Sequence, residues 1–447
     1  MNQLLERVFK LTENGTSIRT ELLAGLTTFL TMCYIIVVNP SILSITGMDF
    51  SAVFVATCIS SAIACLIMGL FANYPIALAP GMGLNAYFTF SVVQGMGVSW
   101  QIALAAVFMS GIIFILFSSF KIREMLVNGL PMSLKMAIAA GIGLFLALIA
   151  LKGAGLVVGN EATLVSMNNL YTITEENGVN IKRPNLPVLF ALLGFFMIVA
   201  LDYYRVRGAI IISIFAITLL AALTGLTQIE GIVSSIPSIA PTFMQMDFNG
   251  LFNSSMIAVV FVFFLVDLFD STGTLVGVAH RAGLLDKNGH LPRLKRALFA
   301  DSTAIVAGSM LGTSSTTPYI ESASGVSAGG RTGLTAVTVG VLMLACLWFS
   351  PLAKAVPSFA TAPALLYIGV QMMRSAIEID WKDMTEAAPA FLTIAFMPFT
   401  YSIANGIAMG FISYAVIKLV CNRAKEVPIM VWIVAVCWLA KFWFLGA

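Results

Sequence analysis

Charged side chains are scarce in this chain: of its 447 residues, 10% are Asp, Glu, Lys or Arg and 59% are apolar. A soluble domain carries about 25% charged residues, so too few are present here to cover a water-facing surface. Apolar stretches of membrane-spanning length instead recur from Glu21 onwards. The composition therefore excludes a water-soluble fold and predicts one membrane domain over residues 1–447.

Patterns typical of metal sites, nucleic-acid binding and catalysis are also missing. The two histidines, His280 and His290, lie in one loop, and the six cysteines lie in or beside apolar runs without metal-ligand spacing. Such cysteines are usually small buried side chains. Basic residues form no patch outside short loops, so we expect no nucleic-acid partner. No Ser/His/Asp, Cys/His or His-Glu-x-x-His arrangement indicates an enzyme, and we expect no cofactor or metal.

Fourteen apolar segments are candidate membrane spans. They lie at 22–45, 51–72, 76–95, 101–120, 132–151, 186–203, 208–227, 254–279, 297–312, 317–330, 333–353, 359–376, 386–402 and 404–421. Several are short or are interrupted by glycine and proline. A fifteenth apolar run at 428–445 follows a basic loop, and the sequence leaves open whether this run crosses the membrane.

The positions of lysine and arginine indicate the orientation of the chain, because cytoplasmic loops of membrane proteins are enriched in these residues. If the N-terminus is cytoplasmic, most of the 24 basic residues fall in or beside cytoplasmic loops. The exceptions are Lys152, Lys182, Arg183, Lys354 and Lys441. We therefore expect a multi-pass protein of the cell membrane, embedded in the lipid bilayer, with a cytoplasmic N-terminus.

The fourteen segments divide into two sets of seven, and an odd number of spans per half would invert a duplicated unit. A weak internal repeat agrees with this division. Ala-Pro-Gly-Met-Gly-Leu-Asn-Ala at 79–86 lies in the third segment, and Thr-Pro-Tyr-Ile-Glu-Ser-Ala-Ser-Gly at 317–325 lies in the tenth. Because each begins an apolar stretch too short to cross as a helix, we predict strands at 75–80 and 315–320, each followed by a half-helix. Ordinary glycine-rich packing helices are the alternative.

Three acidic residues, Asp267, Asp270 and Glu321, lie well inside apolar sequence. A carboxylate at the centre of a bilayer is costly, so it is retained for function by default. Asp267 and Asp270 are three residues apart and share a helix face with Thr274, which would let the two carboxyl groups hold one proton. The half-helix beginning near Glu321 would point free N–H groups toward the same region. A structural role is the alternative for each acid, and for Asp267 it is equally plausible.

Four motifs stand out in the chain: Gly-Met-Gly-Leu-Asn-Ala-Tyr-Phe at 81–88, Leu-Phe-Asp-Ser-Thr-Gly-Thr-Leu at 268–275, Tyr-Ile-Glu-Ser-Ala-Ser-Gly at 319–325 and Gly-Gly-Arg-Thr-Gly-Leu-Thr-Ala at 329–336. Together they resemble the nucleobase–cation symporter family 2, specifically its hypoxanthine–adenine–guanine permease branch. The likeness runs from about residue 10 to residue 421. The resemblance implies a purine base as substrate and suggests a homodimer.

The resemblance further implies an all-α fold of two inverted seven-span repeats with a core and a gate domain. The core would hold spans 1–4 and 8–11, within 22–120 and 254–353; the gate would hold spans 5–7 and 12–14, within 132–227 and 359–421. Since every implied ligand lies in the core, we expect the core to slide against the gate and carry the substrate across. Small residues of the fifth and twelfth spans would let the gate sit close to the core. They are Gly141, Gly143, Pro363 and Gly369.

The resemblance also implies the substrate ligands. Asp270 would hydrogen-bond the base, and Glu321 would be the second acidic ligand. Tyr319 would offer backbone groups at the end of its strand, and Asn85 in the third span would add an amide.

One position departs from the pattern of related carriers. Relatives specific for uracil or xanthine place a titratable residue four positions after the eighth-span acid, where this chain has Thr274. The proton carrier is therefore expected to be Asp267 or Glu321. An aromatic ring such as Phe264 could cover the face of a flat base, although phenylalanine in such a position is more often a packing residue.

These observations predict import of a purine nucleobase by proton symport, without ranking hypoxanthine, guanine and adenine. An anion transporter of the sulfate or bicarbonate type with the same architecture is the alternative, because half-helix N-termini suit an anion. Carboxylates at positions 270 and 321 would repel an anion unless protonated. A channel is less consistent with the sequence, since single buried acids on interrupted helices fit the occlusion of one substrate.

Overall fold

Long apolar helices make up most of the structure. The structure is a computed structural model, and it describes residues 2–119, 131–176, 179–252, 254–284 and 291–445. A helix satisfies its own backbone polar groups, as a segment inside a bilayer requires. The helices are α1 (Asn2–Phe9), α2 (Ile18–Met32), α3 (Ile35–Leu43), α4 (Phe50–Ile67), α5 (Met82–Ala86), α6 (Trp100–Ser119), α7 (Met132–Gly153), α8 (Leu186–Tyr203), α9 (Ala209–Leu223), α10 (Ser254–Arg281), α11 (Leu294–Leu311), α12 (Ser322–Ser327), α13 (Gly333–Ala345), α14 (Ser350–Lys354), α15 (Ser358–Met373), α16 (Met384–Phe399), α17 (Ile403–Val420) and α18 (Ile429–Leu445). The strands are β1 (Leu78–Pro80), β2 (Val157–Asn160), β3 (Leu164–Met167), β4 (Tyr171–Glu176), β5 (Val179–Pro184) and β6 (Thr316–Pro318).

Eight helical segments of the described part are long and apolar enough to cross a membrane. They are Ile18–Thr46, Phe50–Ala72, Trp100–Phe117, Met132–Gly153, Leu186–Tyr203, Ser255–Arg281, Gly333–Lys354 and Ile403–Val420. Three shorter apolar helices, Ala209–Leu223, Met384–Phe399 and Ile429–Trp443, accompany them. The chain is thus a helical, multi-pass membrane protein, which confirms that part of the predicted fold. Fourteen spans and an inverted repeat remain predictions.

The two strands expected in the third and tenth segments are present and pair with each other. In this antiparallel pair of β1 and β6, Leu78 lies opposite Pro318 and Pro80 lies opposite Thr316. Beyond the strands, the backbone N–H of Gly81 donates to the Ser315 carbonyl oxygen at 2.8 Å. Each strand leads into a helix: β6 is followed by the short α12, and β1 is followed by α5, which continues directly as a π-helix over Tyr87–Gly95. The pairing satisfies backbone groups that would otherwise lie unpaired among apolar helices.

The longer helices pack as two groups. In the first helix group, α11 packs on α4 and α6, α13 packs on α2 and α4, and α10 packs on α6. In the second helix group, α7 packs on α15 and α16, α8 packs on α9 and α15, and α16 packs on α17. The strand pair contacts α4, α10 and α11, so it lies with the first helix group.

Small residues bring helices of the second group into close contact. A Cβ atom added at Gly143 would lie 2.7 Å from the Gly369 carbonyl oxygen, so the backbones of α7 and α15 touch there. Gly141 faces α16, where the Ile394 Cα would lie 3.2 Å from an added Cβ, and Pro363 packs against Gly194 of α8. The expectation that these residues bring the fifth and twelfth spans to the core is therefore wrong. They pack the second helix group internally.

The six cysteines differ in burial, and Cys346 is half-buried. Cys33, Cys58 and Cys65 are buried, as expected of small apolar side chains. Cys421 and Cys437 are exposed, so burial is not general. The two exposed thiols lie near the end of the chain, after α17 and in α18.

The start of α2 is tied to the start of α13 by a buried carboxylate. Glu21 is 0% exposed. It accepts hydrogen bonds from the backbone N–H groups of Arg331 at 2.8 Å and Thr332 at 3.3 Å, and from the Thr335 hydroxyl at 2.6 Å. A carboxylate at a helix N-terminus satisfies free backbone donors and complements the helix dipole. The first span is thereby fixed against the segment that follows α12.

Candidate substrate site

Hydroxyl groups of the β6 region face the acidic residues of α10. The Ser315 Oγ lies 2.7 and 2.8 Å from the two carboxylate oxygens of Asp267, and the Thr317 side chain lies near the Asp270 carboxylate. The hydroxyl residues are two apart on an extended segment, and the acids are three apart on a helix. Each pair therefore lies on one face of its element. The structure thus gives the acidic face of α10 a partner surface that the sequence did not indicate.

The three acids differ in their access to solvent. Asp267 is 0% exposed, whereas Asp270 and Glu321 are only partly buried. The carboxyl groups of Asp270 and Glu321 are close enough to interact electrostatically. Asp270 and Glu321 are therefore the two partly exposed acids of the predicted site, whereas Asp267 is enclosed in this conformation.

Open space runs along α10 next to Asp270. A Cβ atom added at Gly273 or Gly277 would meet no atom within 4 Å. Residues three, four and seven positions after Asp270 share its helix face, so Gly273, Thr274 and Gly277 extend the stripe on which Asp270 lies. Thr274 is half-buried on this stripe. The structure therefore brings Thr274 to the same open face as Asp270.

Glu321 is held by a residue from the first span. The Tyr34 hydroxyl donates a hydrogen bond of 2.6 Å to the Glu321 Oε1. Tyr34 lies in the turn between α2 and α3 and is 1% exposed. Glu321 immediately precedes α12. A contact between residues 287 positions apart thus orients one of the two accessible acids.

Tyr319 joins the two strands rather than presenting free groups. Its hydroxyl donates to the Pro80 carbonyl oxygen at 2.5 Å. Its backbone N–H donates to the Ala77 carbonyl oxygen at 2.9 Å, and its own carbonyl oxygen accepts from the Ser322 N–H at 3.1 Å. The backbone groups that were expected to meet a substrate are therefore engaged within the protein in this conformation.

Asn85 lies in a buried polar network and is 0% exposed. Its Nδ2 donates to the Asn39 Oδ1 at 2.6 Å, and its Oδ1 accepts from the Ser314 hydroxyl. The Asn39 Nδ2 in turn donates to the hydroxyls of Thr57 at 2.7 Å and Thr313 at 2.9 Å. This network joins α3, α4, α5 and the segment before β6. Asn85 thus connects the two halves of the chain from the interior.

Phe264 packs between helices. Its side chain is 4% exposed. Its ring centroid lies 5.4 Å from that of Phe114 and 5.4 Å from that of Phe117, both on α6. The contacts of Phe264 are therefore those of a packing residue between α6 and α10. The structure does not show its ring beside Asp270 and Glu321.

Two polar residues of the site region, Tyr34 and Asn39, were missed from the sequence. Both are single uncharged residues in the first apolar segment, where neither spacing nor charge distinguishes them. An amide in an apolar run is a weak signal, because burying an uncharged polar group costs far less than burying a charge. In the part of the chain that the structure describes, no group of three or more His, Cys, Asp or Glu residues is placed to hold a metal ion.

Comparison with known proteins places the chain in a family. A model of the Permease family matches residues 19–409. The adenine permease AdeP of Escherichia coli (strain K12) is 49% identical over 444 residues, which cover 99% of this chain and 97% of AdeP. The guanine/hypoxanthine permease PbuO of Bacillus subtilis (strain 168) is 44% identical over 446 residues, which cover 98% of this chain and 100% of PbuO. This chain belongs to the nucleobase–cation symporter family 2.

Membership of the nucleobase–cation symporter family 2 confirms the resemblance and shows that the chain is a transporter rather than an enzyme. Its fold is that of the transmembrane domain of a cyanobacterium bicarbonate transporter, BicA, at a TM-score of 0.64 and 17% identity, covering 87% of this chain and 97% of that one. Murine Slc26a9, an anion transporter in the inward-facing state, matches at a TM-score of 0.63 and 12% identity, covering 90% of this chain and 68% of that one. At such low identity these likenesses show the fold alone.

Proposed function

We propose that this protein imports purine nucleobases across the cell membrane together with protons. The single observation that carries the proposal is the pair of partly exposed acids, Asp270 on α10 and Glu321 just before α12, which are close enough to interact electrostatically. Relatives that match over nearly the whole chain are an adenine permease and a guanine/hypoxanthine permease, which supports a purine base as the substrate.

The chemistry of a purine suits two carboxylate acceptors. A purine is a flat, neutral ring with N–H donors along its edges, and ionised carboxylates accept hydrogen bonds from such donors. Asp270 and Glu321 would bind two donor groups, and the Thr274 hydroxyl would add a third contact on the open stripe of α10. Asn85 and Tyr319 would support the site by holding the strand pair, and Phe264 would support it by fixing α10 against α6.

The proton would be carried by an acid of this site. Asp267 is fully buried and bonded to Ser315, so its protonation would change the charge next to the strand pair. Glu321 is the second candidate, because it would contact the base directly and interacts electrostatically with Asp270. Proton coupling predicts that a protonophore abolishes accumulation and that removal of sodium does not.

The two helix groups support a sliding mechanism. The proposed ligands lie on α10, on α5 and around the strand pair, all within or beside the first helix group. We therefore propose that this group is the core, that the second helix group is the gate, and that the fourteen segments form two inverted repeats with a cytoplasmic N-terminus. A site held within one rigid unit can move with that unit past its neighbour. The homodimer stays a prediction from the family resemblance.

The structural likeness to anion transporters does not favour an anion as substrate. The shared feature is the fold alone. In this chain Asp270 and Glu321 would line the proposed site, and two ionised carboxylates would repel an anion. A purine base has no charge to be repelled.

Uptake into proteoliposomes that contain the purified protein tests the proposal. Radiolabelled hypoxanthine and adenine should accumulate when the outside is acidic, and unlabelled purines should compete. Sulfate and bicarbonate should not compete. Accumulation that does not depend on the proton gradient but requires sodium would refute proton symport. Competition by sulfate or bicarbonate, without competition by purines, would favour an anion carrier.

A further inference from the structure

We propose that Tyr34 is a positioning residue that fixes the Glu321 carboxylate as a hydrogen-bond acceptor for the substrate. The inference rests on the proposed function, because it assigns a role to the first span in the same site. The geometry that carries it is the 2.6 Å hydrogen bond from the Tyr34 hydroxyl to the Glu321 Oε1. This distance lies in the range of hydrogen bonds donated by a hydroxyl to an ionised carboxylate.

Packing keeps Tyr34 in place. Its side chain is 1% exposed and lies in the main apolar core with Met32 and Ile35. The Tyr34 residue also lies at the break between α2 and α3, where its carbonyl oxygen accepts from the Val37 and Val38 N–H groups at 3.1 and 3.0 Å. The ring and its backbone are therefore both fixed, and the hydroxyl has one direction in which to donate.

The neighbouring elements hold Glu321 at a constant distance from Tyr34. A Cβ atom added at Gly325 would lie 2.6 Å from the Ala24 carbonyl oxygen and would also meet the Thr28 hydroxyl. The backbones of α2 and α12 are thus in direct contact one turn after Glu321. Since α2 ends just before Tyr34 and α12 begins just after Glu321, this close packing of α2 and α12 brings the two residues together.

This arrangement has a consequence for recognition. A free glutamate side chain can turn among several rotamers, whereas a carboxylate with one oxygen held by a phenol has a defined orientation. Asp270 on α10 and Tyr319 at the end of β6 are the other titratable groups that interact with Glu321. Tyr34 is the donor among them, so it determines how the Glu321 carboxylate faces a ligand N–H.

The test replaces Tyr34→Phe, which keeps the ring and removes the hydroxyl. The KM for hypoxanthine or adenine should rise by about tenfold, whereas the maximal rate should change by less than about threefold. KM does not depend on how much protein reaches the membrane, so partial misfolding would lower the maximal rate alone. An unchanged KM would overturn the role of Tyr34.

The matched control is Tyr414→Phe, because the Tyr414 hydroxyl donates to Glu386 at 2.9 Å in the second helix group. This control should leave KM unchanged, and an equal rise in both variants would also refute the proposal. If Tyr34→Phe does not accumulate, 3-fluorotyrosine at position 34 keeps the ring and alters only the donor strength. KM should then shift by about threefold, and no shift would contradict the inference.

The outcomes distinguish this inference from the proposed function. If Tyr34→Phe has the KM of the unmodified protein while Glu321→Gln loses transport, the assignment of the purine site is supported and the proposed role of Tyr34 is refuted. If Glu321→Gln and Asp270→Asn both transport normally, the site assignment itself fails.

Discussion

At the scale of single residues, the two acids of α10 and the acid that immediately precedes α12 differ in how far they are exposed. Asp270 and Glu321 are partly exposed, and Asp267 is fully enclosed. A side chain that a ligand can touch and one that it cannot touch should respond differently to the same substitution. Replacing a carboxylate by its amide keeps the size and removes the charge, so it separates these roles.

We expect Asp270→Asn and Glu321→Gln each to lower kcat/KM for purine uptake by about 10- to 100-fold. A hydrogen bond to a charged group contributes about 1.5–3 kcal/mol, and each variant weakens one such bond to the base. The measurement is initial-rate uptake at equal amounts of protein in the membrane. Glu161→Gln, at an exposed position between β2 and β3, is the control and should behave as the unmodified protein.

For Asp267→Asn we expect exchange of internal for external purine to continue, while accumulation driven by the proton gradient is lost. A proton carrier is needed for net coupled uptake, whereas exchange returns the substrate-loaded carrier without releasing the proton. Counterflow and gradient-driven uptake in the same vesicles check this.

The control for Asp267 is Asp301→Asn. Asp301 is also 0% exposed and accepts a hydrogen bond from the Ser271 hydroxyl at 3.0 Å. This variant should keep gradient-driven accumulation. Loss of accumulation in both variants would show a general cost of changing a buried acid rather than a role for Asp267.

The sequence allows the charged residues of the candidate site to be predicted, but not the uncharged residues that hydrogen-bond to them. Asp267, Asp270 and Glu321 are visible because a carboxylate in apolar sequence needs a reason to be there. Tyr34 is not visible, because a tyrosine in a membrane segment is common and its hydrogen bond reaches a residue 287 positions away. The internal engagement of Tyr319 is also hidden, since it depends on the pairing of two distant strands.

At the scale of elements, the ends of α16 and α17 are joined by an ionic network. Lys418 is 1% exposed and lies 2.7 Å from Glu386 and 2.9 Å from Glu426. Arg423 lies 2.6 Å from Asp383 and 2.7 Å from Glu426. Its guanidinium holds the pKa of the Asp383 carboxyl well below its usual range and also lowers the pKa of Glu426. The Asp383 and Glu426 carboxylates therefore stay ionised at neutral pH.

We expect Lys418→Met to destabilise the protein by about 2 kcal/mol. Removing one partner of a buried ion pair costs about 3–5 kcal/mol, and the partial exposure of both carboxylates lowers this cost. Thermal unfolding of the purified protein in detergent is the measurement. The matched control is Lys425→Met in the adjacent turn, where the lysine is exposed, and it should leave the unfolding temperature unchanged. Equal effects of both variants would contradict a role for the network.

Element boundaries could be predicted wherever the apolar pattern is continuous. The predicted segment 186–203 coincides with α8, and the strands expected at 75–80 and 315–320 are present as the shorter β1 and β6. The interruption between α2 and α3 could not be predicted, since the sequence shows neither glycine nor proline at 33–34. The pairing of β1 with β6 could not be predicted either, because the local sequence of a strand does not specify its partner strand.

At the scale of the whole molecule, the two helix groups meet at a few close contacts. One is at α5 and α7, where a Cβ atom added at Gly83 would lie 2.8 Å from the Ile142 Cγ2. If the groups slide during transport, residues in this contact must separate. A covalent bond across it should hold the protein in one position.

We expect a disulfide between Gly83→Cys and Ile142→Cys, in a background that lacks the native cysteines, to block uptake until it is reduced. The short approach at this position is compatible with disulfide geometry. The control retains Cys65 and adds Gly340→Cys, whose Cβ atom would lie 3.3 Å from the Cys65 Cβ within the first helix group. This bond should leave uptake intact. Normal uptake by the oxidised Gly83→Cys/Ile142→Cys protein would refute the sliding model.

The antiparallel pair of β1 and β6 also has a consequence for how the protein is made. Tyr319 and Pro80, which the pair brings into contact, are 239 positions apart in the chain. The ribosome therefore completes β1 long before β6 exists, and until then the backbone groups of β1 lack their partners in a medium that offers no replacement. Stable insertion of the third segment therefore requires the tenth segment, and the proposed substrate site is complete only after both have been synthesised.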